Sequence, residues 1–252
     1  MCNRFVIEYP EKIHLWTKQM LEWEWKTLVA YYNAAPSQRV PTVLPGKKST
    51  GEGPKGKLIS WGLQIGGTGQ RYMNARKEKA FTSNIWKTAV QARRCAIVAD
   101  GFFEWPPEPA PKTPYLFRRI GAQPFSFAGL HFPGATEDDD AVVLLTTEAN
   151  GATASIGHPR SPVMLDESNL AEWIREGPMS EDELNRLTLP YPAEKMEMFR
   201  VSRRMNSSQF QDPAAVKPLT AEEATLEDQA GSAPRTKIAA VEKSDGTQLN
   251  LF

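Results

Sequence analysis

The chain predicts an α+β fold, on three observations. Ile13, Trp16, Met20 and Trp23 recur at helical spacing near the start, and the middle, from Cys95 to Thr147, is a succession of apolar, β-branched and aromatic runs. No regular alternation of strand and helix accompanies them, nor any GxGxxG or P-loop, which argues against a doubly wound sheet. With 252 residues and 40% hydrophobic content the chain can bury one substantial core, so one domain over 1–218 and a tail over 219–252 is the expected organisation.

The elements follow in order. A short N-terminal strand leads into an amphipathic helix over residues 11–28, whose tryptophans are read as core. Tyr32 to Pro36 is expected as a turn or loop, and Val40–Leu44 and Leu58–Leu63 as strands separated by the Gly/Lys/Ser-rich loop Pro45–Lys57. Ser83 is an expected N-cap for a helix through Arg93. Strands are then expected at Cys95–Trp105, Tyr115–Ile120, Phe125–Phe132 and Ala141–Thr147, with Pro106–Pro114 as a proline-stiffened loop. Short helices are expected over 167–175 and 181–187. From about Leu219 the composition shifts to Ala, Glu, Thr, Ser and Gly, too poor in apolar residues to offset the entropy of ordering, and a disordered tail is expected.

Composition narrows the function classes. Thirty basic and thirty acidic side chains cancel, so no general positive field exists, yet Arg71, Arg76, Lys77 and Lys79, then Arg93 and Arg94, then Arg200, Arg203 and Arg204 form local basic clusters suited to a groove. No apolar run is long enough to span a bilayer, the first ten residues lack signal-peptide character, and a cytoplasmic protein with no membrane partner is expected. Two cysteines and three histidines offer no disulfide framework and a poor set for zinc, so neither metal nor cofactor is expected.

Cys2 directly follows Met1, and initiator methionine is normally trimmed before so small a side chain. The trimmed chain would carry an α-amine and a thiol on adjacent carbons, with reference pKa values of about 7.7–8.0 and about 8.5. Such a pair condenses with an aldehyde, first as a Schiff base and then by thiol attack, to close a thiazolidine ring without a cofactor. Cys95, among apolar neighbours, reads as a buried strand residue.

Four stretches together resemble the SRAP family, the SOS-response-associated peptidase-like proteins that shield abasic sites in single-stranded DNA. Met1-Cys2-Asn3-Arg4-Phe5 is similar to the start MCGRF, with Asn3 for glycine; Asn74-Ala75-Arg76-Lys77-Glu78 is similar to NARxE. Ala99 to Trp105 is similar to ADGFYEW, with Phe103 for tyrosine, and Gly157 to Leu165 to IHxRMPVIL, with Gly157 and Ser161 departing. The resemblance runs from Cys2 to about Pro218 and implies one domain built on a mixed, strongly bent sheet or barrel flanked by helices.

It also implies roles. Cys2 would form the crosslink; His158 would move protons as the sugar opens and the imine forms; Glu104 would be acid and base for the Cys2 amine or thiol; Asn74 would orient. Arg4, Arg76 and Arg160 would hold phosphates, and Trp61 and Trp105 would stack on or wedge against bases. The terminal Gln248, Leu249, Leu251 and Phe252 resemble the QLxLF pentapeptide that docks into the bacterial sliding clamp, which would bring a monomeric protein to replication forks. Two alternatives stand beside this reading. One is a thiol peptidase built on Cys2, His158 and Asn74 or Asn206, which could be confined to removal of Met1; the other is a noncovalent binder of single strands or clamp scaffold.

Overall fold

The computed structural model describes residues 2–232 except 24, 26, 48–49, 67–68 and 109–111, so the clamp-like pentapeptide over 248–252 and Met1 lie outside the described residues. Strand β1 (Arg4–Ile7) leads into helix α1 (Pro10–Leu21), which starts with proline in its first turn, where the missing N–H costs nothing, and buries Ile13, Trp16, Thr17 and Leu21. It is shorter than expected. Glu22 takes a left-handed φ of 51° and its N–H caps Lys18, which ends the helix although apolar periodicity runs on to Trp23. β2 (Tyr31–Ala34) corrects the expected turn: it is a strand, paired antiparallel with β1 at Phe5↔Ala34.

β3 (Arg39–Leu44) and β4 (Lys55–Trp61) form the expected pair, followed by β5 (Leu63–Gln64), β6 (Arg71–Tyr72) and β7 (Asn74–Arg76), each too short to leave a period in the sequence. The next helix, α2 (Lys87–Ala92), begins after Trp86; Ser83 instead accepts the Ile85 N–H in a preceding turn. The long run Cys95–Trp105 is two strands, β8 (Arg94–Ala99) and β9 (Gly101–Glu104). Then come β10 (Tyr115–Arg119), β11 (Phe125–Phe132), β12 (Ala141–Glu148), α3 (Gly151–Ala154), β13 (Arg160–Pro162) and β14 (Met164–Leu165). The described residues close with α4 (Leu170–Trp173), α5 (Glu181–Leu187), β15 (Met196–Arg200) and α6 (Ala221–Ser232).

Strands β12, β4, β3, β8 and β11 pair in that order and β11 returns to β12, closing a small barrel in which β4 runs parallel to β12, as does β7 farther along the same strand. A second, antiparallel sheet runs β15-β10-β9-β1-β2. Mixed and strongly bent describes this architecture. The two sheets share one chain at Asp100, between β8 and β9. Its buried carboxylate accepts the N–H groups of Glu8 at 2.8 Å and Tyr9 at 2.7 Å, pinning the turn after β1 to the bend. Burial pushes this carboxyl up to about 6. Gly101 follows because a Cβ there would lie 2.9 Å from Val6 and 3.0 Å from Leu116, which pack on either side of β9.

Phe127 of the barrel meets Phe125 and, from the second sheet, Phe5 and Phe102 edge to face, with Phe5 also against Trp61. All are fully buried. Phe127→Ala would leave a cavity among them and is expected to cost about 3–5 kcal/mol, read as a lowered denaturation midpoint with an unchanged slope.

Helix α6 corrects the expectation of disorder over 221–232; the rest of the expected tail, 233–252, lies outside the described residues. Thr220 and Glu223 form a reciprocal cap: the Thr220 hydroxyl accepts the Glu223 N–H at 3.2 Å and the Glu223 carboxylate accepts the Thr220 N–H at 2.8 Å. Its one large apolar side chain, Leu226, is exposed, so the helix is fastened by charge rather than by an apolar face.

Candidate functional site

The antiparallel register Arg4↔Phe103 between β1 and β9 carries Asn3 and Cys2 back past Glu104 and Trp105. Cys2 is thereby buried at the head of β1, its thiol donating to the Arg4 carbonyl at 3.5 Å. Burial first, and then the charge of Glu104, push the thiol well above its usual range. Glu104 is itself enclosed, and desolvation raises its carboxyl to about 7.

Asn74 comes from β7, which is held parallel to β12 at Leu144↔Asn74. Its amide NH2 donates to the Cys2 carbonyl at 3.1 Å and to the Asn3 side-chain oxygen at 3.2 Å. The amide oxygen of Asn74 is buried without a hydrogen-bond donor among the described residues. A buried acceptor left in that state is costly, and the site therefore favours a donor arriving beside Cys2.

His158 arrives from the end of α3. Gly157, at φ +75°, lets the helix close with His158 N–H on the Thr153 carbonyl at 3.1 Å and Gly157 N–H on Ala154 at 2.8 Å, a two-bond glycine cap. The departure from the family pattern at Gly157 thus has a local reason. The His158 Nδ1 lies 2.7 Å from the Arg160 carbonyl, which can only accept, so Nδ1 carries the proton and Nε2 faces Glu104 Oε2 at 3.3 Å. Desolvation lowers the His158 pKa. A neutral imidazole nitrogen and a carboxyl raised to about 7 are thus poised to share one proton near neutral pH.

The remaining expected residues divide. Trp105 is half-buried, its indole N–H held by Asn206 at 2.8 Å, and with Asn3, Arg4, Lys112 and Asn206 it lines a cleft of about 260 Å3. This is smaller than a drug-sized pocket, and Cys2, Asn74, Glu104 and His158 are not among its lining residues. A larger cavity of about 450 Å3, against Arg93 and Arg175, contains none of these residues. Arg76 is exposed on β7.

Two residues do not sit as expected. Trp61 has no exposed surface and donates its indole N–H to the Met73 carbonyl, so it holds β4 to the segment before Asn74 and offers no face to a base. Arg160 is paired within the fold: Glu78 takes it in a bidentate pair at 2.7 and 3.1 Å, and the Thr146 carbonyl accepts from it at 2.7 Å. It braces the strand that carries the carbonyl orienting His158. The partner was visible as the acidic end of Asn74-Ala75-Arg76-Lys77-Glu78; the contact was not, because 82 residues separate the two. Asn206, weighed only for a peptidase, proves to orient Trp105. Among the described residues no cluster of three His, Cys, Asp or Glu side chains could hold a metal, and no helix is long and apolar enough to cross a membrane.

Comparison with known proteins places the chain in a family. The family model described as SOS response associated peptidase (SRAP) matches residues 1–208. The chain belongs to the SRAP family. It is similar to the abasic site processing protein YoqW of Bacillus subtilis, 30% identical over 196 residues that cover 73% of this chain and 84% of that protein. The abasic site processing protein YoaM of the same organism is 31% identical over 187 residues, covering 70% and 79%. Among solved structures, a phage-related protein of Bordetella bronchiseptica superposes with a TM-score of 0.65 at 22% identity, covering 80% of this chain and 95% of that one, and so shares the SRAP fold.

Proposed function

We propose that this SRAP chain captures abasic sites in single-stranded DNA as a covalent thiazolidine on Cys2 once Met1 is removed. The observation that carries the reading is the placement of Cys2 at the head of β1, between the Asn74 amide and a Glu104 carboxyl raised to about 7 that faces His158 at 3.3 Å. The neutral α-amine adds to the sugar aldehyde, and loss of one water gives the imine. The thiol then adds across the C=N bond, its proton leaving and the nitrogen gaining one, so the net change is one water released. A thiol pushed up by burial needs a neighbouring base for that second addition, and the Glu104 carboxylate supplies it. His158 exchanges protons with the sugar oxygens and the departing water. The buried oxygen of Asn74 accepts from the new amine or a sugar hydroxyl and so holds the reacting atoms in line. Arg4 and Arg76 hold flanking phosphates, and Trp105 wedges beside the opened position.

A thiol peptidase would draw on the same Cys2, and release of a peptide fragment from a foreign substrate would favour it over crosslinking. The test is the intact mass of purified protein mixed with an abasic single strand. The expected species equals protein without Met1 plus oligonucleotide minus one water; only unlinked masses, with Met1 absent, would end the proposal. We assign Gln248–Phe252 to a sliding clamp. Deleting those residues is expected to abolish clamp capture on a sensor surface and leave the adduct yield intact; loss of both would refute that division.

A further inference from the structure

We propose that helix α6 is an acidic mask over a further phosphate-binding patch, Arg200 and Arg203, that extends the DNA cleft beyond Trp105 and Asn206. The inference rests on the single-strand reading above. Arg200 meets both Asp228 carboxylate oxygens at 2.8 Å, a bidentate geometry that suits a phosphate equally well. Arg203 donates to the same carboxylate at 2.8 Å, to the Glu227 carbonyl at 2.7 Å and to the Thr113 hydroxyl at 3.0 Å. Glu227 in turn accepts from the Ser202 hydroxyl at 2.7 Å and the Arg203 N–H at 3.0 Å. Two carboxylates of one short helix thus occupy both arginines and the polar groups between them, much as a phosphodiester would.

The patch adjoins the cleft. Arg203 and Asn206 share a single 3-10 turn, and Asn206 both orients Trp105 and donates to the Lys112 carbonyl at 2.9 Å, one residue from the Thr113 that Arg203 touches. A strand leaving the cleft past Trp105 and Lys112 therefore arrives at these arginines. The mask is weakly seated: Asp228 is half exposed and Leu226 faces outward, so little apolar area holds α6 down and the pairs are open to screening. The clamp-like pentapeptide over 248–252 follows this helix in the sequence.

The test compares the full chain with Glu227→Gln/Asp228→Asn and with a chain ending at Leu219, using anisotropy of an undamaged single strand of about 20 nucleotides, longer than common footprints. Two newly gripped phosphates steepen the slope of log K against log salt by about 1.4, so between 50 and 200 mM salt both variants lose about sevenfold more affinity than the full chain, and they bind tighter at 50 mM. Adding Arg200→Ala and Arg203→Ala to the double variant is expected to return it to the full chain's affinity and slope. Equal or weaker binding by both unmasked chains overturns the mask, as does a gain that survives loss of the arginines. Crosslinking of the full chain to an abasic strand is measured alongside. If it forms while the variants match the full chain, the mask alone has failed; if the full chain neither binds nor crosslinks, both readings fall.

Discussion

Cys2→Ala is expected to remove every adduct that survives denaturing electrophoresis, taking the yield on an abasic single strand from near-complete to undetectable. The substitution leaves the α-amine beside Asn74 and Glu104, so imine formation persists and borohydride reduction is expected to trap a fraction as a stable amine. What disappears is the thiol that closes the ring and moves the equilibrium away from hydrolysis. Cys2→Ser keeps a nucleophile in place but a hydroxyl is a poorer one, and only a labile link is expected. Asn74 holds the Cys2 backbone carbonyl, which neither change removes, so noncovalent retention of the strand should persist. Undiminished stable adduct in Cys2→Ala would overturn the assignment of the nucleophile. Chain that keeps Met1 is expected to behave as the alanine variant does, since its terminal amine and the Cys2 thiol no longer share adjacent carbons.

The second large effect is on pH dependence. Burial raises the Glu104 carboxyl to about 7, and its carboxylate is the form that accepts a proton, so the rate of ring closure should rise as pH climbs through 7. Glu104→Gln is expected to slow closure by about 10²–10⁴-fold and to erase that inflection, leaving only the rise that belongs to the terminal amine near its reference value of about 7.7–8.0. An unchanged profile in the variant would assign the base elsewhere.

The stability consequence has the opposite sign. A carboxyl raised from 4.5 to about 7 on folding favours the folded state at low pH, and that advantage is lost as pH rises from the unfolded to the folded value. At pH 8 the buried charge costs on the order of 3 kcal/mol, and the neutral glutamine variant, though slow, should melt at a higher temperature than the parent. Thermal melts at pH 5 and pH 8 check this: the gap between the two proteins should open only at the higher pH. Asp100, also raised, to about 6, contributes in the same direction but accepts three backbone bonds that compensate its charge.

Short-range pattern reached some elements and missed others for identifiable reasons. β10, β11, β12 and α5 were legible because each carries its own alternation or cap, as in the Ser180–Glu183 capping box of α5. β2 and β15 were not: they become strands because β1 and β10 offer them an edge, a long-range circumstance that no window of neighbouring residues contains. The break at Asp100 escaped notice because a strand run can pass through a polar residue, and only the N–H groups of Glu8 and Tyr9, 92 and 91 positions away, make it a corner. For α6 the signal existed as Thr-x-x-Glu at Thr220–Glu223, yet the composition after Leu219 argued for disorder and outweighed it.

By itself the sequence singled out a candidate reacting group, through a cysteine next to the initiator, and the family, through motifs whose order no single stretch could establish. It also named Asn74, Glu104 and His158, because each stands inside a local motif of recognisable residue types. Which side chains meet was decided only by the tertiary structure. The β1–β9 register brings Cys2 to Glu104, Glu78 pairs with Arg160, closure of the barrel encloses Trp61, and α6 lies over Arg200 and Arg203. Those outcomes depend on burial and on contacts between distant residues, and a linear pattern holds neither.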